Sequence, residues 1–391
     1  MLVAVVIVGC ADAPGPTGVP YLDDRAQRRA ELEQILVDPA NGYSELRLQK
    51  YAHSSGGWDA LSEWNPSVAP IAADGSTGSS APLDVDIDPL DDAALLALGE
   101  QAFFTYPVQP VPLGIASDGV WSDATRGLGG LVALDGGTQL FGSCATCHGS
   151  VRDGSLVPGL GNEHFDLGHA MVQADAVDAS DVAAYLSWGP GRVDVTTHAG
   201  TEPVRIPDLR AVRLLTFLQA DADVAQLDLE ALAIRLETLI ITSTGETTRP
   251  PRIVALALAR YVWSLADQFA PADASSDGAA VFAANCASCH VPPAFTGAPV
   301  PLGVVGTDPT IGDSLVRGTG SYRVPSLRGV GRRALLLHDG SLPSLDAMFD
   351  PTRLGSDYDG GVRVGAVPGH VFGLDLSDSD RGALLAYLEA L

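Results

Sequence analysis

The chain has 391 residues, 46% of them hydrophobic, and carries 48 Asp plus Glu against 23 Lys plus Arg for a net charge of −25. That length accommodates two or three domains, each with its own core. So acidic a balance argues against nucleic acid and anionic membrane surfaces as partners and favours a basic one. Lys50 is the single lysine, which we read as genomic bias and not as function.

The first ten residues, MLVAVVIVGC, form an apolar run too short to span a bilayer. Ending in Val8-Gly9-Cys10, it resembles a lipoprotein signal with its lipidated cysteine, although no Lys or Arg precedes the run. Residues 1–20 are accordingly expected to be signal and linker, and the protein periplasmic or at the cell surface, touching membrane only through a lipid anchor at Cys10. An N-terminal extension, 21–87, carries helical stretches around Arg25–Leu36 and Tyr43–Tyr51. Residues 65–85, rich in Pro, Gly, Ser and Ala, read as an extended surface connection. Asp88-Pro89 reads as an N-cap with proline at the first helical position. Leu90, Ala94, Leu98 and Ala102 then mark one helix face.

Next comes Cys144-Ala-Thr-Cys147-His148, matched later by Cys286-Ala-Ser-Cys289-His290. Cys-x-x-Cys-His is the attachment pattern of c-type haem: the thiols add to the porphyrin vinyl groups and the imidazole ligates iron. Four of the five cysteines are used this way. A zinc ribbon would place its pairs roughly 15–20 residues apart, whereas these begin at 144 and 286. A thioredoxin-type dithiol needs a strand–turn–helix setting that neither copy has. Two covalently bound c-type haems are the expectation.

Each motif is framed by helices. The stretch Ile253–Leu265 closes the first unit, residues 266–277 break the chain, and Gly278–Asn285 runs straight into Cys286. The last helix, through Leu384–Leu391, is entered by a capping box of Ser377 and Asp380. Apolar residues at helical spacing, such as Val254, Leu258, Tyr261 and Leu265, fit a terminal helix packing back onto the helix before the haem motif. In the first unit that helix is Gly99–Phe104, separated from Cys144 by an insertion. The β signal is weak throughout. The predicted fold is mainly α: two cytochrome c-like haem domains, 88–270 and 271–391, with long loops and the N-terminal extension.

The sixth iron ligand decides what such a protein does. The candidates are few: His164, His169, Met171 and His198 for the first haem; His338, Met348 and His370 for the second. His53 has no such setting and is expected on the surface. Glu163 and His164, in the loop after the first motif, are candidate acid–base groups.

Several segments resemble the bacterial dihaem cytochrome c peroxidases and the related methylamine-utilisation dihaem enzymes, over roughly residues 88–391. Tyr322-Arg-Val-Pro-Ser-Leu-Arg328-Gly and His338-Asp-Gly-Ser are similar to that superfamily's signature beside the second haem. The resemblance implies that Arg328 and His338 engage haem propionates or the region between the haems, and a guanidinium suits a carboxylate. Trp188-Gly-Pro-Gly-Arg-Val-Asp, Arg205-Ile-Pro-Asp-Leu and the Gly-His-x-Phe-Gly turn at His370 look most like the rubber-oxygenase-like branch. That likeness implies His370, in preference to Met348, as ligand of the second iron, and Trp188 near the first haem. The peroxidases' Gly-His-Gly-Trp setting is absent around His164, and Thr352 stands about where those enzymes place a methionine.

Three functions follow. The first is electron transfer through the second haem to a first haem that reduces peroxide, fed by a small basic electron-donor protein such as a cytochrome. The second is a pure electron-transfer cytochrome with both irons six-coordinate. The third is an oxygen-activating enzyme on a hydrophobic substrate. The sequence does not decide whether a calcium ion sits between the domains.

Overall fold

Two glycines explain how the helices cross. In the computed structural model, which describes residues 17–71, 76–111, 129–173, 177–194 and 203–391, helix α2 (Asp92–Thr105) lies against α5 (Arg252–Ser264). A Cβ on Gly99 would stand 2.0 Å from the Ala257 carbonyl oxygen, so only glycine permits the approach. One turn on, the Phe103 ring meets Tyr261 at 5.1 Å between centroids. The second half repeats this. Helix α6 (Asp277–Asn285) crosses α7 (Asp378–Ala390), where a Cβ on Gly278 would stand 2.2 Å from the Ala383 oxygen. Phe282 meets Tyr387 at 5.5 Å. The same four residue types at the same i, i+4 spacing thus build both crossings, as the sequence pattern predicts. Of the predicted capping box half is made: the Ser377 hydroxyl accepts from Asp380 N, while the Asp380 carboxylate accepts from the Ser377 hydroxyl and not from its backbone N–H.

Helix α4 (Leu229–Ser243) also packs on α5, and the first motif forms the short helix α3 (Cys144–His148). One core takes in Leu98, Phe103, Ala145, Ile241 and Leu258; a second takes in Phe282, Phe295, Leu342, Leu384 and Leu388. The N-terminal segment is not an appendage. Tyr21, Leu32 in α1 (Arg25–Ile35) and Trp58 belong to the first core. The Tyr21 and Tyr51 hydroxyls donate to the wholly buried Glu237 of α4 at 2.9 and 3.1 Å. Arg252 and Arg28 converge on buried Asp59. Buried ions survive only when paired in this way.

Three sequence expectations need correction. Helix α2 starts at Asp92, capped by Asp91, whose carboxylate accepts from Ala93 N and Ala94 N. Asp88 closes the preceding turn and leaves Leu90 exposed. The cap that wins is the one whose helix buries Leu95, Leu98 and Ala102. The described part of 65–85 runs largely at the surface but is more than a connection: Val68–Pro70 is strand β1, and Asn65 pairs with Leu83 N and O. Strand content is also greater than expected. Strands β2 (Gln109–Pro110), β3 (Gly130–Leu134) and β4 (Gly137–Gly142) join β1 in an antiparallel sheet ordered β1-β3-β4-β2, within the insertion before Cys144. After the motif, β5 (Gly149–Arg152) and β6 (Ser155–Pro158) make a hairpin. Its turn, Asp153-Gly154, has φ of 53° and 75°, the type I′ geometry that Asp-Gly favours.

Candidate functional site

Both motifs open onto one continuous cavity of about 400 Å³. One wall comes from residues between Val108 and Val262, the other from residues between Asn285 and Leu388. Apolar walls with a few polar groups are what a cofactor site requires.

At the first motif, Ser143 caps α3 and its N–H donates to Thr146 Oγ1 (2.9 Å). Asn162 closes the turn from outside: its N–H donates to Cys147 O (2.8 Å) and its side-chain amide to Thr146 O (3.0 Å). His148 Nδ1 lies 2.9 Å from Pro207 O. A donated Nδ1–H fixes the tautomer and leaves Nε2 as the ligating atom. Burial pushes the ring down to about 4, so it is neutral, the form that binds metal. The thiols are pushed up by burial, Cys144 and Cys147 to about 12 and Cys286 to about 11.

The second motif repeats the arrangement, with His290 Nδ1 3.2 Å from Phe295 O. Here the chain adds a partner. The His370 ring faces His290 with centroids 6.5 Å apart. Two imidazoles sharing one metal through bonds of about 2.0–2.1 Å place their centroids about 6.3 Å apart. The gap therefore fits one axially ligated metal. Burial, then the neighbouring His290, lower His370 to about 4, and its Nδ1 is enclosed without a protein hydrogen-bond partner. The residues present fit a c-type haem at each motif.

Between the halves stands a set of arginines that the sequence did not single out. Arg205, Arg323 and Arg333 line the cavity together. Desolvation first, and Arg333 next, push Arg205 down to about 9 and Arg323 to about 10. Arg333 has a carboxylate, Asp208 at 3.0 Å, which Arg210 shares at 2.7 Å. Arg205 Nε reaches only Leu337 O, and Arg323 Nε is buried without a partner. Asp208 thus serves Arg333 and Arg210, while Arg205 and Arg323 have no carboxylate partner among the described residues, a charge that haem propionates would supply. Both residues stand in segments singled out in the sequence, but their inward direction is a matter of packing.

The predicted site residues divide accordingly. The four motif cysteines, His148, His290, His338 and His370 line the cavity. His338 stacks on Tyr322 at 4.2 Å, and its carbonyl accepts from Arg205 N. Arg192 donates to Asp339 O (2.7 Å) and Gly340 O (2.6 Å), so the Trp-Gly-Pro-Gly-Arg segment meets the His-Asp-Gly segment across the halves. Arg328 does not line the cavity. It donates to Pro293 O and Ala270 O and lies over the Phe295 ring, a fastening of backbone. Trp188 is buried, stacked on Tyr185 at 4.6 Å, and packs in the first core. His164 is 79% exposed outside the cavity. Burial would raise Glu163, but hydrogen bonds from Arg152 (2.5 and 2.8 Å) and Ser150 (2.8 Å) hold its carboxyl below the ordinary range. A carboxylate so engaged is a poor proton donor.

His169 is exposed beside Gln173, Met171 packs against the first core, and His53 pairs with Glu33 on the surface. Met348 is buried and lines the second half of the cavity. His198 and Cys10 lie outside the described residues. Among the described residues no three His, Cys, Asp or Glu side chains converge as a cage for a metal ion such as calcium. The buried Asp223 accepts instead from Asn41, and Asp221 faces Arg317.

No family model and no curated protein matches the chain. Among solved structures it is similar to the dihaem peroxidase BthA from Burkholderia thailandensis, at 18% identity and a TM-score of 0.35, covering 84% of this chain and 94% of that one. A point variant of the same peroxidase gives 17% identity and a TM-score of 0.31, over 84% and 93% of the two chains. Likeness at this level leaves the function to be read from the chain's own geometry.

Proposed function

We propose that the protein is a dihaem c-type cytochrome that reduces peroxide at the first haem with electrons relayed through the second. One observation carries the reading: the two motif histidines are unequally partnered. His290 is met by His370, whereas among the described residues the cavity wall from the first half offers no imidazole or thioether besides His148. A haem held at His148 would supply redox chemistry towards peroxide, and one held between His290 and His370 would relay single electrons.

The chain's own residues do the rest. The cysteines would tether the cofactors, and His148 and His290 would ligate them through Nε2. Arg205 and Arg323 would hold propionates. Leu232, Leu236 and Leu258 exclude water from the first site. Gln219 also lines the cavity, with neither amide atom bonded, and is the N–H donor we assign to bound peroxide. Each peroxide takes up two electrons and two protons and leaves as two waters. The proposal further includes export, a lipid anchor at Cys10, haem domains at 88–270 and 271–391, and a small basic electron donor suited to the charge of −25. No described helix is long and apolar enough to cross a membrane.

The test is spectroscopy of the exported holoprotein with peroxide turnover beside it. One high-spin and one low-spin ferric haem, with peroxide consumed by the reduced protein, is the expected result. Two low-spin haems in every redox state and no turnover would establish a pure electron carrier instead. Oxygen uptake with a hydrophobic substrate, without peroxide turnover, would establish an oxygen-activating enzyme.

A further inference from the structure

Arg353 is wholly buried, and its guanidinium is spent on backbone carbonyls. Nε donates to Met348 O at 3.0 Å and Nη1 to Val367 O at 2.6 Å. Nη2 donates to both Gly369 O and His370 O, each at 2.8 Å. Three of the four acceptors thus belong to residues 367–370, the turn that carries His370. A buried cation is costly, and an arginine is kept inside where its rigid fork fixes something in place.

What it fixes is a conformation the turn would not hold alone. His370 has φ of +43°, a left-handed backbone that is sterically costly for an L residue without a turn's constraint. Gly369, at φ +76°, passes so close to the neighbouring loop that a Cβ there would stand 2.2 Å from Gly306 C and Thr307 N. On that side His370 N donates to Val305 O at 2.6 Å. The turn is therefore gripped twice, by Val305 at its amide edge and by Arg353 at its carbonyl edge. The outcome is an imidazole aimed at His290 with room for one metal between them.

We infer that Arg353 is a positioning residue that presets His370 as the second axial ligand of the haem on His290. It keeps that iron six-coordinate and so confines peroxide to the other haem. The inference rests on the ligand assignment made under the proposed function. Without the fork, the turn relaxes to negative φ and the ring leaves the iron.

Lysine keeps the charge but cannot span four carbonyls, so Arg353→Lys in the holoprotein is the decisive variant. The ferric second haem should become partly high-spin while the first haem's spectrum stays unchanged. Added imidazole should restore the low-spin signal, binding about 10- to 100-fold more tightly than to the unmodified protein. Gly369→Ala, which displaces the same turn from the opposite side, should give the same signature and serves if the lysine variant does not fold. His370→Ala is the control. If it leaves the second haem low-spin, the underlying ligand assignment fails. If it turns that haem high-spin while Arg353→Lys and Gly369→Ala leave spin state and imidazole affinity unchanged, the assignment stands and the role of Arg353 is overturned. A change affecting both haems alike in folded protein would also overturn it.

Discussion

The two halves of the cavity share a scaffold and part company at their loops. Gly99, Phe103, Ala257 and Tyr261 in one half, and Gly278, Phe282, Ala383 and Tyr387 in the other, make the same helix crossing. Both motif histidines anchor Nδ1 on a carbonyl and offer Nε2. Around His290 the chain then adds His370 on a turn gripped by Arg353. The wall from the other half, among the described residues, adds no second imidazole: it is mostly leucine and valine, with Gln109, Gln219, Arg205, Asp208 and Arg235 as its larger polar groups. Scaffold and tether are thus common property, and the difference in chemistry resides in loop residues, as it commonly does.

That contrast can be broken from either side. The largest effect is expected from Cys144→Ser with Cys147→Ser. One haem should be lost, halving haem content per chain by mass and pyridine haemochrome, and peroxide turnover should vanish while the second haem's low-spin spectrum persists. The mirror variant, Cys286→Ser with Cys289→Ser, should leave a high-spin haem that cannot be fed electrons efficiently. Retention of two haems in either would defeat the account. Next, His370→Ala should make the second haem high-spin and accessible to added ligands, erasing the asymmetry in the ferric spectrum.

The shared scaffold can be probed by Gly99→Ala and Gly278→Ala. Each forces a methyl group onto a backbone carbonyl at about 2 Å, and overpacking of this kind costs about 1–3 kcal/mol. Denaturant unfolding should show a similar loss in both, and a loss at one alone would mean the crossings are not equivalent. Arg323→Gln removes a cation from beside the proposed propionates. It should lower a haem potential by tens of millivolts, on the scale of about 59 mV per tenfold for one electron, readable by redox titration. Smallest of all, Glu163→Gln and His164→Ala should leave peroxide turnover within about twofold, because neither group reaches the cavity.

Much of the frame was legible because it is local. The motifs, the Ser377 cap and the apolar spacing of the terminal helices are contiguous patterns, and each appears where the pattern put it. Asp135-Gly136 and Asp153-Gly154 mark the hairpins that a search for sustained alternation passed over. Other readings failed for a physical reason. Arg328 sits in a signature-like segment yet turns towards backbone, while Arg323, five residues earlier, faces the cavity. Glu163 and His164 follow the motif closely in sequence, but the hairpin β5–β6 and the Arg152 bridge hold that loop at the surface.

The amino-acid order alone fixed the two Cys-x-x-Cys-His clusters at which we propose haem attachment, since thiols and imidazole within five consecutive residues need no distant help. Which far-off side chain would come to face each imidazole, and which guanidinium would be left short of an anion, was settled only by folding. Those encounters join segments remote in the chain, and their geometry depends on how whole helices and turns pack.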